Sequence, residues 1–294
     1  MEPARRKRIN RYKQFIVISF LALTCIPCFV SIFLLGKVNK LEKEITLIAR
    51  EHTVEQLELL SGSSLEQEMN EEALSGVLST DIKDNQEEKQ VYLTFDDGPS
   101  EQTDEILDIL KEHNVKATFF VIGKTDAESK RIYKRIVEEG HTLGMHSYTH
   151  DYQKIYASQE AFEQDVTKLS DLLYDTTGVR PKYYRFPGGS SNTVSRVPVK
   201  NLIQYLNEEG ITYYDWNALN GDAVTKEISC AQLNRNILKD VRRYNVSIVL
   251  MHDLVQRHNT VKALPSLIKQ LKKEGYELLP ISDSTPVIQH VKLK

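Results

Sequence analysis

From about Gln90 onward the chain repeats one unit, a short apolar run followed by an amphipathic segment of helical period. The runs Val91–Phe95, Ala117–Ile122, Tyr183–Phe186, Ile211–Tyr214, Ser247–Met251 and Tyr276–Leu279 have the length and residue types of strands, and Thr142–Met145 is a weaker candidate. Between most of them lie Thr103–His113, Ala127–Glu139, Gln159–Asp175, Val199–Glu209, Ala231–Tyr244 and Val261–Glu274, each with a helical spacing of apolar residues. Three of these end alike, at Glu139-Gly140, Glu209-Gly210 and Glu274-Gly275, where a glycine can take the left-handed conformation that stops a helix. Repeated strand–helix units leave few options: an α/β fold with a largely parallel sheet, open or closed into a barrel.

The N-terminal part of the 294 residues has a different texture. Arg5, Arg6, Lys7, Arg8, Arg11 and Lys13 precede an uncharged apolar run from Phe15 to Gly36. Such a run is long enough to cross a hydrocarbon core of roughly 30 Å as a helix. No A-x-A-like cleavage site follows it, so an uncleaved signal anchor is expected rather than a cleavable signal peptide. The basic flank predicts a cytoplasmic tail at 1–14, a transmembrane anchor at 15–36 and everything beyond outside the membrane. Lys37, Lys40 and Lys43 weaken that asymmetry without reversing it.

Residues 37–89 read as a stalk helix and a flexible linker, residues 90–280 as the strand–helix domain and 281–294 as a C-terminal tail. In the stalk, Val38, Leu41, Ile45 and Ile48 are spaced three and four apart, but His52 and Glu55 break the pattern. That supports a short helix more than a dimerising coiled coil. A net charge of −3 singles out no partner, and no nucleic acid is expected. Cys25 and Cys28 lie inside the apolar run, where membrane packing or lipidation fits better than redox or metal duty. Cys230 leaves the ectodomain without an internal disulfide and is expected to be a small buried residue.

Five polar clusters fall at the C-terminal ends of the expected strands: Asp96-Asp97, His146 to His150, Arg185 to Gly189, Asp215-Trp216 and His252-Asp253. In barrel and open α/β folds that edge is where sites are assembled. His146 and His150, four apart, would share a face on a helical turn and bind one metal ion. A carboxylate from another strand end would supply a third ligand and leave positions open for water and substrate. Adjacent side chains on a regular strand point to opposite faces. For Asp96 and Asp97 to serve one site, the chain must therefore leave strand geometry at Asp96, and Gly98-Pro99 permits such a turn. One acid would then bind metal and the other act as general base toward metal-bound water. His252 is a candidate acid for a leaving group, with Asp215 orienting its ring or raising its pKa. Arg185 is placed to hold a carboxylate, and Gly188 and Gly189 offer unobstructed N–H groups to an oxyanion.

The set TFDDGP, HSYTH, RFPGG, DW and LMHD, in that order across about residues 90 to 280, resembles the polysaccharide deacetylases of the NodB-like family, carbohydrate esterase family four. The resemblance implies a distorted (β/α) barrel and metal-dependent removal of acetyl from an N-acetylated sugar. It implies Asp96 as base, Asp97, His146 and His150 as metal ligands, and His252 as acid. It further implies that Arg185 braces Asp96 and Asp215 tunes His252. Trp216 and Leu250 would line the pocket for the acetyl methyl, and the Gly188 N–H would help bind the oxyanion. The third motif departs from the commoner R-P-P-Y-G form, with Phe186 for a proline and Gly188 for a larger residue.

Zinc is the expected metal, with cobalt, nickel or manganese compatible with the ligands. Cell-wall placement makes peptidoglycan N-acetylglucosamine the first substrate expectation, ahead of N-acetylmuramic acid, another surface glycan or xylan. Two alternatives stand beside it. Two histidines and a carboxylate also describe a non-haem iron oxygenase, although the strand–helix alternation disfavours it. A non-catalytic glycan-binding protein on the same fold is the other.

Overall fold

The structure is a computed structural model that describes residues 89–223 and 228–293. The expected cytoplasmic tail, anchor, stalk and linker, with Cys25 and Cys28, lie outside the described residues apart from the last residue of the linker range. Among the described residues no helix is long and apolar enough to cross a membrane.

The elements in chain order are β1 (Gln90–Asp96), α1 (Thr103–Glu112), β2 (Thr118–Ile122), α2 (Ala127–Glu138), β3 (Thr142–Ser147), α3 (Tyr152–Ile155), α4 (Gln159–Thr177) and β4 (Tyr183–Tyr184). Then follow α5 (Val199–Glu208), β5 (Thr212–Tyr213), β6 (Ala218–Leu219), α6 (Cys230–Val241), β7 (Val246–His252), α7 (His258–Lys273) and β8 (Glu277–Leu278). The strands form one sheet in the order β5-β4-β3-β2-β1-β7-β6, with β8 paired to the start of β1. Every pairing is parallel. The alternation therefore predicted the fold class. Among the described residues β5 and β6 do not pair, so the sheet is curled rather than closed.

Each face of the sheet has its own core. Val91, Leu93 and Phe95 point outward, into a cluster with Ile106, Leu107 and Leu110 of α1 and Leu264, Leu267 and Leu271 of α7. Tyr92 points inward, with Phe120, Tyr214, Ile248 and Ile281. Because both faces are covered, Val91 through Asp96 are all buried, which is why β1 reads as a continuous apolar run. Gly140, Gly210 and Gly275 have φ of 78°, 68° and 81°, the left-handed helix ends expected of them.

Three details differ from expectation. Strand β6 has only two residues and no alternation to detect. Helix α7 starts at His258, led in by a 3-10 turn at Val255–Arg257, and carries Pro265 in its second turn. Cys230 is half-buried at the start of α6 rather than in the core.

The segment after residue 280 packs against the sheet. The Ile281 N–H donates to Thr118 Oγ1 at 2.8 Å, and its carbonyl accepts from Thr142 Oγ1 at 2.7 Å. Further on, Ile288 O accepts from Asp215 N at 2.8 Å and Val291 N donates to Ser190 Oγ at 3.0 Å. The chain end thus binds beside β5, where strand pairing stops.

Candidate active site

The last residue of β1 is Asp96, in register with Phe120 of β2 and His252 of β7. Residues in register across a parallel pair share a face, so Thr94, Asp96, Leu250 and His252 all look inward. The departure from strand geometry comes one residue later than expected, at Asp97, whose φ is 74°. That left-handed residue turns the second carboxylate toward the same cavity as the first. Asp253 fixes the turn from below. Its N–H donates to Asp96 O at 2.8 Å, and its buried carboxylate accepts from Ser100 Oγ and Thr103 Oγ1, both at 2.5 Å. Gly98 is required here because a Cβ would collide with the Asp253 carboxylate.

Asp97 meets the two histidines. Its Oδ1 lies 3.1 Å from His150 Nε2 and 3.5 Å from His146 Nε2, and the three ligand atoms fall within 4.8 Å of one another. The histidines do not sit on a helical turn: His146 belongs to β3, and His150 is in the following loop with φ 49°. Asp165 of α4 builds that loop, accepting from Ser147 Oγ, Tyr148 N, Thr149 N and Thr149 Oγ1 at 2.8 to 3.0 Å. Ser147 Oγ in turn accepts the His150 N–H at 2.8 Å. Nothing in the sequence pattern marked Asp165, which is one of several acids on an amphipathic helix.

The donor set fits a metal ion on two counts. His146 Nδ1 is 2.7 Å from the Arg185 carbonyl, to which it donates as N–H, leaving Nε2 with its lone pair toward Asp97. Burial pushes the His146 pKa down to about 3, so the ring is neutral, as a ligand must be. Asp97 Oδ1, buried between the rings, has no hydrogen-bond partner among the described residues. A buried orphan carboxylate oxygen facing two imidazoles is costly unless a cation completes it.

Asp96 is held differently. Arg185, fully buried, donates from Nη1 to Asp96 Oδ1 at 2.9 Å and to Thr94 Oγ1 at 2.6 Å. Its Nε and Nη2 donate to the carbonyls of Tyr214 and Asp215 at 3.0 and 3.1 Å, and its guanidinium lies 4.2 Å from the Phe120 ring centre. Phe120 can occupy that place because Gly144 has no side chain; a Cβ there would stand 2.7 Å from its ring. Burial raises the Asp96 pKa above the ordinary carboxylate value, and the Arg185 charge opposes the rise.

Opposite them, His252 Nδ1 is 2.6 Å from Asp222 Oδ1, and its N–H donates to Asp222 Oδ2 at 3.0 Å. Asp222 also accepts from Thr260 Oγ1 at 2.8 Å and Asn220 Nδ2 at 3.0 Å. Burial alone would lower the His252 pKa, but the hydrogen bond and charge of Asp222 outweigh it and raise the value. The expectation that Asp215 orients this ring is corrected: Asp222 is its carboxylate partner. Asp215 accepts instead from Ser190 N at 2.8 Å, Ser190 Oγ at 2.5 Å and His290 N at 2.7 Å. Asp222 follows a two-residue strand in Asn220-Gly221-Asp222, where a turn and a site are indistinguishable by composition.

Gly188 and Gly189, with φ of 78° and 79°, turn the loop between Arg185 and Ser190. Trp216 packs near Gly189, where a Cβ would stand 3.0 Å from the indole, and joins the inner cluster. Leu250 is half-buried on the inner face, two residues before His252.

Residues 83–213 match the family described as polysaccharide deacetylase. A peptidoglycan-N-acetylglucosamine deacetylase of Bacillus cereus is 35% identical over 195 residues, covering 65% of this chain and 68% of that protein. The catalytic domain of a peptidoglycan N-acetylglucosamine deacetylase from Eubacterium rectale is 38% identical with a TM-score of 0.66, covering 72% of this chain and 97% of that one. The polysaccharide deacetylase Bc1974 of Bacillus cereus is 34% identical with a TM-score of 0.61, covering 68% and 96%. With its fold, its converging carboxylates and histidines and these likenesses together, the chain belongs to the polysaccharide deacetylase family.

Proposed function

We propose that this protein hydrolyses the acetamido group of N-acetylated sugars in a cell-wall polysaccharide, with N-acetylglucosamine of peptidoglycan as substrate. The observation that carries the reading is the convergence, on one sheet edge, of three differently held groups. These are the orphan Asp97 with two histidines, the arginine-held Asp96 and the carboxylate-held His252. The relatives named as peptidoglycan-N-acetylglucosamine deacetylases support the choice of sugar.

Asp97, His146 and His150 would hold one divalent ion, zinc by ligand type, with cobalt, nickel or manganese also suited. When bound, the ion lowers the pKa of water and polarises a carbonyl. Arg185 occupies Oδ1 of Asp96, so Oδ2 is the atom that takes the proton from the attacking water. The Gly188 N–H offers a fixed dipole to the developing oxyanion. Asp222 raises the His252 pKa, which favours the protonated ring, and occupies Nδ1, so Nε2 delivers the proton to the departing nitrogen. Leu250 and Trp216 bound the space for the acetyl methyl. The product carries a new amine, which is cationic at neutral pH, so the reaction changes the charge of the polymer.

The basic cluster ahead of the apolar run Phe15–Gly36 supports a single-pass anchor with the domain outside, at the wall. Acetate release from N-acetylglucosamine oligomers, peptidoglycan and acetylated xylan, with and without a chelator, tests the reading. Chelator-sensitive release from the first two is expected. Release that survives chelation, or release from xylan alone, overturns the mechanism or the substrate respectively.

A further inference from the structure

Position 188 carries no side chain, yet the space that one would fill is occupied. A Cβ on Gly188 would stand 3.2 Å from Tyr152 Cε1 and 3.3 Å from the Tyr152 hydroxyl. Tyr152 opens α3, a turn capped by Asp151, whose Oδ1 accepts from Gln153 N at 3.0 Å. Its ring stands edge-on to His150, with centres 5.5 Å apart and planes at 88°, and rests on Tyr156 at 5.9 Å. Tyr156 is itself tied to the glycine loop, its hydroxyl donating to Pro187 O at 2.8 Å. Tyr152 is thus wedged between a candidate metal ligand and the backbone that would bind the oxyanion. It is half-buried, so part of it stays open to a ligand.

We propose that Tyr152 is a substrate-positioning residue. Its ring walls the cleft where residue 188 cannot, and its phenol donates a hydrogen bond to an oxygen of the acetylated sugar. This rests on the deacetylase reading above. An aromatic ring with a polar tip suits a sugar, which presents apolar C–H faces edged with hydroxyls. The contact lies on the sugar rather than on the reacting carbonyl, so it acts mainly on binding.

Full-length protein and its Tyr152→Phe and Tyr152→Ala variants, loaded with zinc, are compared on N-acetylglucosamine oligomers and on p-nitrophenyl acetate, which has no sugar. Loss of one neutral hydrogen bond should raise KM for the oligomer about 5-fold in Tyr152→Phe, with kcat within about 2-fold. Turnover of p-nitrophenyl acetate and zinc affinity should stay unchanged. Tyr152→Ala should raise the oligomer KM further. An unchanged KM in both variants overturns the proposal. So does a parallel loss on both substrates with weaker zinc binding, because Tyr152 would then act only by supporting His150. Calorimetric binding of the oligomer to the same variants in an Asp96→Asn background keeps the test separate from the deacetylase reading. If wild type releases no acetate, that reading fails, while a Tyr152-dependent Kd still decides the positioning role.

Discussion

Asp215 and Asp222 stand on either side of the two-residue strand β6, both buried, and they serve different ends. Asp215 receives two donors from Ser190 and one from the His290 backbone, joining the glycine loop to the chain end. Asp222 receives the ring and backbone of His252 and the Thr260 hydroxyl, joining β7 to α7. One carboxylate fastens the seam where strand pairing stops; the other sets the proton state of a histidine facing the cavity. The role of a buried acid is therefore read from its donors. Its place at a strand end and the family resemblance pointed to Asp215 instead.

The largest expected effect lies with a third carboxylate, against which both can be scaled. Asp96→Asn leaves Arg185 facing a neutral amide and removes the proton acceptor. Acetate release should fall by at least about 10³-fold, within the range for loss of a general base, while zinc binding persists. Loss of zinc along with activity would show that Asp96, not Asp97, is the ligand.

Next is Asp222→Asn, expected to lower kcat about 10²-fold and to move the alkaline limb of the pH–rate profile to lower pH. The sign follows from linkage. His252 is raised above its ordinary value by Asp222, so it stays protonated to higher pH than a free histidine. The stability from this pair is fully present below about pH 6.5 and is lost as pH rises through the higher folded value. Removing the charge returns the titration downward. An unshifted alkaline limb would mean that another group delivers the proton.

Asp215→Asn should do the converse. Its amide would set one donor against the donors of Ser190 and His290, a loss of about 2 kcal/mol and a melting temperature lower by several degrees. The pH limbs should stay where they are. If they move with Asp215 and not with Asp222, the contrast between the two aspartates is reversed.

What the sequence made legible divides along the same line. The strand–helix repeat was visible because both faces of β1 are covered, which yields an uninterrupted apolar run, and because glycines close three helices. Asp96, Asp97, His146 and His252 were marked by their place at strand ends. The helical geometry assumed for His146 and His150 was wrong because Asp165, on α4, holds the segment after His146 in a loop. Asp222 was missed because β6 is too short to show a period, and its partner His252 is distant in sequence. Long-range hydrogen bonds leave no local pattern to detect.

The smallest effect probes how the seam is held. His290 approaches Asp215 by two routes: its backbone N–H donates to Oδ2 at 2.7 Å, and its ring Nδ1 lies 3.8 Å from Oδ1. The ring also contacts Trp216, through the carbonyl at 2.7 Å and edge-on to the indole at 5.0 Å. The ring is partly exposed, so water can replace its hydrogen bond, and the backbone donor survives truncation. His290→Ala should therefore cost no more than about 1 kcal/mol. His290→Pro removes the N–H itself and leaves Oδ2 with the Ser190 hydroxyl as its one remaining donor among the described residues, so it should approach the loss expected of Asp215→Asn. Thermal unfolding of the three variants side by side decides it. Equal losses for His290→Ala and His290→Pro would place the clamp in the ring and its contact with Trp216 rather than in the backbone N–H that Asp215 receives.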